Sequence, residues 1–228
     1  ILLVFLSPHV LLSNSNKSYS ITNVNITSNL HADGSMSVSE NRTYKFKGSF
    51  KYAFQTFNKS DQIQYQEFNV LEGDTNYHQS DNDQPNSYTI TEDNEVIEVK
   101  WNFKAKNESR TFTIKYTVNN AVEKNSDATL LYHKFIGGNW QKPQENVSII
   151  LNPPGSSSNL DVQAWLHGPL WGRYEINQDG SISAWCRNLP RKTFFELRVL
   201  SPPEYFKQTP LIDKFVKDQV IEEEIKWA

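Results

Sequence analysis

The stretch Ser109 to Pro143 constrains the fold more than any other part of this sequence. Phe112, Ile114, Tyr116 and Val118 alternate with Thr111, Thr113, Lys115 and Thr117, which gives a strand with one apolar face and one wet face. A polar segment from Asn119 to Asp127 reads as a turn. Leu130 to Ile136 then carries large apolar groups at both parities, the pattern of a strand covered on both faces. Gly137-Gly138 ends that strand, and Trp140 and Pro143 open the next segment. A chain with this stretch at its centre is expected to be built from sheets.

The rest of the chain repeats the pattern. Tyr19 to His31 places Val24, Ile26 and Leu30 on one face, and Ala32-Asp33-Gly34-Ser35 is a hairpin turn. The returning strand, Met36 to Phe46, has polar residues at every odd position. Glu40 and Arg42 therefore fall on its apolar parity beside Val38 and Tyr44. Lys47 to Phe57 is aromatic and broken by Gly48. Gln62 to Leu71 changes parity between Tyr65 and Phe68, which predicts a β-bulge. Glu72 to Asn86 reads as a polar loop. Further strands are expected at Glu95 to Phe103, Val147 to Leu151, Asp161 to His167, Arg173 to Ile176, Ser181 to Arg187 and Thr193 to Leu200.

The two ends differ from this centre. Ile1 to Leu12 is apolar, too short to cross a bilayer, and suits the apolar core of a secretory signal, with Ser13 and Ser15 as a small-x-small cleavage pattern. At the other end, Thr209-Pro210 reads as a cap and first-turn proline. Leu211, Ile212, Phe215, Val216, Val220, Ile221 and Ile225 recur at helical spacing, so Pro210 to Trp227 is expected to be an amphipathic helix. The division that follows is 1–17 for a partial signal or apolar segment, 18–206 for the β domain, and 207–228 for a helix leading towards a transmembrane region. The fold class expected is an all-β antiparallel β-sandwich, immunoglobulin-like or jelly-roll-like, of two sheets with one C-terminal amphipathic helix.

Composition narrows the function classes. A net charge of −3 with no basic stripe excludes nucleic acid as the main partner. The single cysteine, Cys186, excludes a disulfide scaffold, and its parity with Ile182 and Ala184 reads as a small buried hydrophobe. His9, His31, His78, His133 and His167 are scattered without metal-ligand spacing. Asp81-Asn82-Asp83 begins like a calcium loop but lacks its glycine and closing glutamate. No nucleophile motif occurs. The sequons at Asn16, Asn25, Asn41, Asn58, Asn107 and Asn146 read as chance in an Asn-rich chain. No catalytic, cofactor-binding or metal site is expected.

Two constellations stand out. Glu40 and Arg42, two residues apart on an inward face, are the candidate buried ion pair. Trp165 and Trp185 fall on the polar parity of their strands with Trp171 in the loop between, a candidate aromatic platform for a ligand such as a carbohydrate. A second layer covering those tryptophans is the competing reading.

Asp33-Gly34-Ser35 with Val38, Glu40, Tyr44, Phe46 and Gly48 resembles the opening hairpin of a bacterial family of predicted membrane proteins, domain of unknown function 2207. Arg110-x-Phe112-x-Ile114-x-Tyr116, Leu131-Tyr132 to Ile136-Gly137, Trp140 and Pro143 resemble its central block, and His167-Gly168-Pro169 with Gly172 its late loop. The resemblance runs from about Tyr19 to Pro203, and the order of the blocks carries it. It implies an exported N-terminal β domain followed by transmembrane helices, and it implies no activity, cofactor or catalytic residue. The function expected is that of a non-catalytic extracytoplasmic domain acting through contacts with the rest of its own membrane protein or a membrane-protein partner. An apolar run of about 20 residues is expected beyond Ala228.

Overall fold

The computed structural model describes residues 17–60, 62–155 and 161–227. The expected signal segment and the sequon at Asn16 lie outside the described residues. The strands run in chain order as β1 (Ser18–Leu30), β2 (Met36–Lys47), β3 (Ser49–Asn58), β4 (Gln64–Glu72), β5 (Thr75–Asn76) and β6 (His78–Gln79). β7 (Ser87–Glu92), β8 (Val96–Lys106), β9 (Ser109–Asn119), β10 (Val122–Asn125), β11 (Thr129–Ile136) and β12 (Gln144–Asn152) follow. The chain then forms β13 (Gln163–His167), β14 (Arg173–Ile176), β15 (Ile182–Leu189), β16 (Phe195–Ser201) and β17 (Leu211–Ile212), and ends in helix α1 (Lys217–Trp227).

These strands form an eight-stranded sheet in the order β14-β15-β12-β1-β2-β9-β4-β5, a five-stranded sheet β13-β16-β11-β10-β17, and a four-stranded sheet β3-β8-β7-β6. One buried apolar cluster joins all three. The expected antiparallel pairing prevails, and the expectation of two sheets is corrected. Among the described residues there are three sheets, and β1 runs parallel to β12 in the middle of the largest, with Val24 opposite Val147 and Ile26 opposite Ile149. The shorter pairs β6–β7 and β10–β17 are also parallel.

The largest sheet is one-sided, as its alternation requires. Val24, Ile26, Val38, Tyr44, Phe112, Ile114 and Ile149 point into the core. The opposite face is a ladder of small polar side chains, tied by bonds such as Thr113 Oγ1 to Asn41 Oδ1 at 2.6 Å and Ser148 Oγ to Asn25 Oδ1 at 2.7 Å. The four-stranded sheet packs on the inner face through rings, Phe46 to Phe103 at 5.3 Å and Phe103 to Phe112 at 4.7 Å. Such pairs add about 1 kcal/mol each beyond their buried area.

A single residue carries the chain between these sheets. β2 and β3 are separated by Gly48 alone, at φ +86°. An added Cβ there would meet Lys17 Cγ at 3.1 Å in a conformation L residues rarely adopt. On the neighbouring ribbon Asn107, at φ +54°, turns β8 into β9. The two corners are stitched together, since Gly48 N donates to Asn107 Oδ1 at 2.7 Å and Phe46 N donates to Glu108 O at 2.8 Å. The paired strands β2 and β9 thus fold over as a unit to become β3 and β8.

The predicted bulge in β4 is present. Its register with β9 shifts between Gln66 and Asn69, and Glu67 sits at φ +58°. Other local expectations are corrected. The polar segment after Asn119 contains β10, because Val122 and Asn125 turn inward there. The loop Glu72 to Asn86 contains β5 and β6 around the buried Tyr77, and β7 was not anticipated. β11 is only partly covered on its second face. Leu130 packs against the helix cluster, but Tyr132 is half exposed.

The helix is shorter than its periodicity implies. Thr209 is not a helix cap, because its hydroxyl donates to Ala32 O at 3.2 Å and Gln208 N donates to the same carbonyl at 3.0 Å. Leu211 and Ile212 pair with β10 instead. The start of α1 is capped from elsewhere in the chain. Asp127 accepts from Val216 N at 2.9 Å and from Lys217 N at 3.1 Å. Val220 then packs with Leu200 and Ala128 on the outer side of the five-stranded sheet. Polar contacts hold the helix there as well. Arg198 donates to Glu224 Oε1 at 2.9 Å and Glu223 Oε2 at 2.7 Å, and His167 Nε2 lies 2.8 Å from Glu224 Oε2. Phe215, Ile225 and Trp227 of the apolar stripe remain exposed. Among the described residues no helix is long and apolar enough to cross a membrane.

Candidate ligand-binding site

The eight-stranded sheet is wider than either small sheet, and the two small sheets do not meet edge to edge. A cleft of about 580 Å³ opens between them, bounded by β3 on one side and by β11 with the loop Gly137 to Gln141 on the other. Its floor is the inner face of the large sheet, where Tyr19, Tyr44, Phe46 and Tyr116 present rings. Phe50 and Phe57 of β3 form one wall, and Phe135 and Trp140 the other. A register shift between Lys134 and Ile136 turns both Phe135 and Ile136 inward, which an uninterrupted alternation could not do. At one end Asn139 Nδ2 reaches Asn58 Oδ1 at 3.5 Å, so the loop touches the end of β3.

Glu40 lies on this floor, and both it and Arg42 are only 1% exposed. Arg42 donates to Glu40 Oε2 from Nη2 at 2.7 Å and from Nε at 3.1 Å. Gln55 Nε2 donates to both carboxylate oxygens at 3.2 Å, and the Tyr116 hydroxyl donates to Oε1 at 2.6 Å. The guanidinium is held in turn by Gln144 Oε1 at 2.7 Å and lies 4.2 Å from the Trp140 ring centre. Burial, and then the charge on Glu40, pushes the Tyr116 hydroxyl well above its ordinary range. Tyr65, at the same cleft, is pushed up to about 12, first by burial and then by Glu40. His133 on the opposite wall is pushed down to about 4 by burial, so its ring is neutral at pH 7. The Tyr116 and Tyr65 hydroxyls are thereby held protonated and the His133 ring neutral at pH 7. The arrangement can bind and orient.

The other sequence candidates fall elsewhere. Trp165 sits on β13 and packs, partly buried, with the cluster under α1. Trp185 lies on β15 of the large sheet, 40% exposed, and Trp171 in the loop between β13 and β14 is 50% exposed with its indole N–H donating to Arg187 O at 2.8 Å. Trp165 is therefore on a different sheet from Trp185. Cys186 is buried and its thiol is pushed up to about 11 by that burial, so it stays protonated. Among the described residues no group of three or more His, Cys, Asp or Glu side chains could hold a metal ion.

Sequence reasoning found the Glu40–Arg42 pair and missed the cleft. Tyr44, Phe46, Tyr116 and Phe135 read from their parity as ordinary core, which they are. Only the sheet order leaves a gap above them. Trp140, just past the Gly-Gly end of β11, was the one available signal.

Comparison with known proteins places this architecture in context. The sequence profile of the family described as predicted membrane protein (DUF2207) N-terminal domain matches residues 20–201. No curated protein matches the chain in sequence. Among solved structures, a Legionella pneumophila protein provisionally described as a nutrient binding protein is similar with a TM-score of 0.52 and 10% identity, over 79% of this chain and 66% of that one. A Parabacteroides distasonis protein provisionally described as a protease has a TM-score of 0.44 and 15% identity, over 81% of this chain and 40% of that one. The chain thus spans less than two thirds of either protein, and at these identities the first likeness speaks for the fold alone. The profile covers most of the chain, and the protein therefore belongs to the DUF2207 family of predicted membrane proteins, as its N-terminal domain.

Proposed function

We propose that this chain is a non-catalytic binding domain of a membrane protein. In this reading it is built as a two-layer β-sandwich, with the four- and five-stranded sheets together forming the second layer. It acts on the extracytoplasmic side through contact with another protein segment, and the cleft between the small sheets is where that contact is made. One observation carries the reading: an aromatic cleft whose carboxylate, Glu40, is already paired with Arg42. Such a cleft offers apolar area and fixed hydrogen-bonding groups, the composition of a recognition site. A hydrolytic site needs a carboxylate or imidazole poised near neutrality, and Glu40 is fully engaged while His133 is neutral.

The test is ligand perturbation followed residue by residue in the intact chain. Amide and indole resonances are recorded while polypeptide and oligosaccharide panels are titrated in. Shifts centred on Trp140, Tyr19 and Phe135 with polypeptides support the reading. Shifts centred on Trp171 and Trp185 with oligosaccharides, and none at the cleft, would replace it with a carbohydrate-binding domain. Turnover of any member of either panel would overturn the non-catalytic claim.

A further inference from the structure

The cleft lies between two unpaired strand edges. β3 ends the four-stranded sheet, so only its β8 side is hydrogen bonded. β11 is paired along its length with β16, but on its other side β10 reaches only Thr129 to Leu131. The part of β11 that lines the cleft, His133 to Phe135, lies beyond β10, and neither β10 nor β16 contributes to the cleft. Among the described residues no further backbone hydrogen bond reaches these two edges. Unpaired edges are ordinarily blunted by charge, proline or cover. β3 carries one such charge, Lys51, and beside it Tyr52 and Phe54, 54% and 52% exposed. Its ten residues make an edge about 33 Å long, with about five of them turning N–H and C=O outward.

We infer that the cleft accepts an extended, acidic-flanked polypeptide segment as an added strand, hydrogen bonded to β3 and facing the free half of β11. This rests on the reading of the cleft as the binding site and names its occupant. An added strand would close the gap and join the four- and five-stranded sheets into one continuous layer. Its inward side chains would be apolar, since they would lie on Tyr19, Tyr44 and Tyr116. The buried Gln55, whose Oε1 has no hydrogen-bond partner among the described residues, would accept from a polar group of the incoming segment. The flanks would be acidic because Lys17 and Lys51 stand exposed around the cleft, with Lys134 beside them 3.5 Å from Glu196 Oε2. Among the described residues the only carboxylate lining it is Glu40, already neutralised by Arg42. Strand addition takes affinity from main-chain bonds and selectivity from alternate side chains, which matches an open edge above a ring-lined floor.

The experiment uses three synthetic nonapeptides and one apolar dye with the intact chain. The first peptide has the sequence acetyl-EEVTVTVEE-amide, the second is the same with alternate backbone nitrogens methylated, and the third has lysine in place of each glutamate. The dye is 1-anilinonaphthalene-8-sulfonate. The readouts are a binding isotherm at low salt and amide hydrogen exchange. The first peptide is expected to bind and to slow exchange in Ser49–Asn58 and in residues 133–136. Methylation is expected to weaken binding about tenfold or more by removing ladder bonds, and the lysine peptide to bind about tenfold more weakly, a difference lost at high salt. Equal binding of the methylated peptide, or binding without protection of β3, overturns strand addition. If the dye binds in the cleft and no peptide does, strand addition is overturned while the cleft remains a binding site. If neither enters, both readings fail. Self-association of the chain that protects β3 by itself would assign the edge to a second copy and overturn the proposal as well.

Discussion

At the scale of single residues the clearest feature is a carboxylate that cannot be left alone. Glu40 is buried with Arg42, Gln55 and Tyr116 around it. Replacing Arg42 by Met keeps the stem and removes the charge that balances it. The expected cost is about 3–5 kcal/mol, seen as a lower urea midpoint with an unchanged slope. Adding Glu40→Gln to Arg42→Met should recover part of that loss, and a midpoint unmoved by the single change would show that the pair shares no buried environment. His133 gives a second prediction. Its folded value of about 4 lies below its ordinary 6.5, so between those pH values the unfolded chain binds a proton that the folded chain refuses. Stability should therefore rise with pH across that window, by about 3 kcal/mol in total from this group at about 1.4 kcal/mol per pH unit. Carboxylates titrate in the same range, so the check is a comparison. His133→Gln should make the difference in stability between pH 4.5 and pH 7 smaller than in the wild type.

At the scale of elements, what could be read from the sequence depended on whether the deciding partner was local. Alternation in β2 and β9 placed Glu40, Phe112 and Tyr116 on the inner face, and the parity change in β4 marked its bulge. The helix boundary was misread because the residues that fix it are remote. Periodicity from Leu211 onward favours a helix, but β10 offers Leu211 and Ile212 a strand partner and Ala32 takes both Gln208 N and Thr209 Oγ1. The cap belongs to Asp127, about 90 residues earlier, as its bond to Lys217 N shows. Pairings at that separation have no signature in a local window. Asp127→Ala should cost about 1 kcal/mol and should act on the start of α1. Hydrogen exchange read by element should show faster exchange in Lys217–Trp227 and little change in β1 and β2; equal acceleration everywhere would mean that the helix and the sheets open together.

At the scale of the whole molecule, family membership and the exposed end of α1 point in the same direction. Phe215 just before α1, and Ile225 and Trp227 in its last turn, are left uncovered, and the family is described as predicted membrane proteins of which this is the N-terminal domain. We expect the domain to sit outside the cytoplasm with α1 on its membrane-proximal side. Fusing reporters to the full-length protein within the β domain should give activity to a periplasmic phosphatase and none to a cytoplasmic fluorescent protein. The reverse pattern would remove the extracytoplasmic placement. The cleft was illegible at this scale for a plain reason. It is a consequence of strand order, and order is decided by which distant strands pair.

The parallel pairing of β1 with β12 also bears on how the protein comes into being. Ser148 bonds Asn25 across 123 positions of sequence, whereas β2 follows β1 after a five-residue connection that a nascent chain can close at once. During synthesis the first hairpin therefore emerges with one side of β1 open and must wait for most of the domain before Val147 and Ile149 arrive to cover it. For that interval the growing polypeptide presents a long, half-apolar ribbon to its surroundings. Slow, late consolidation is built into the order in which its strands are made.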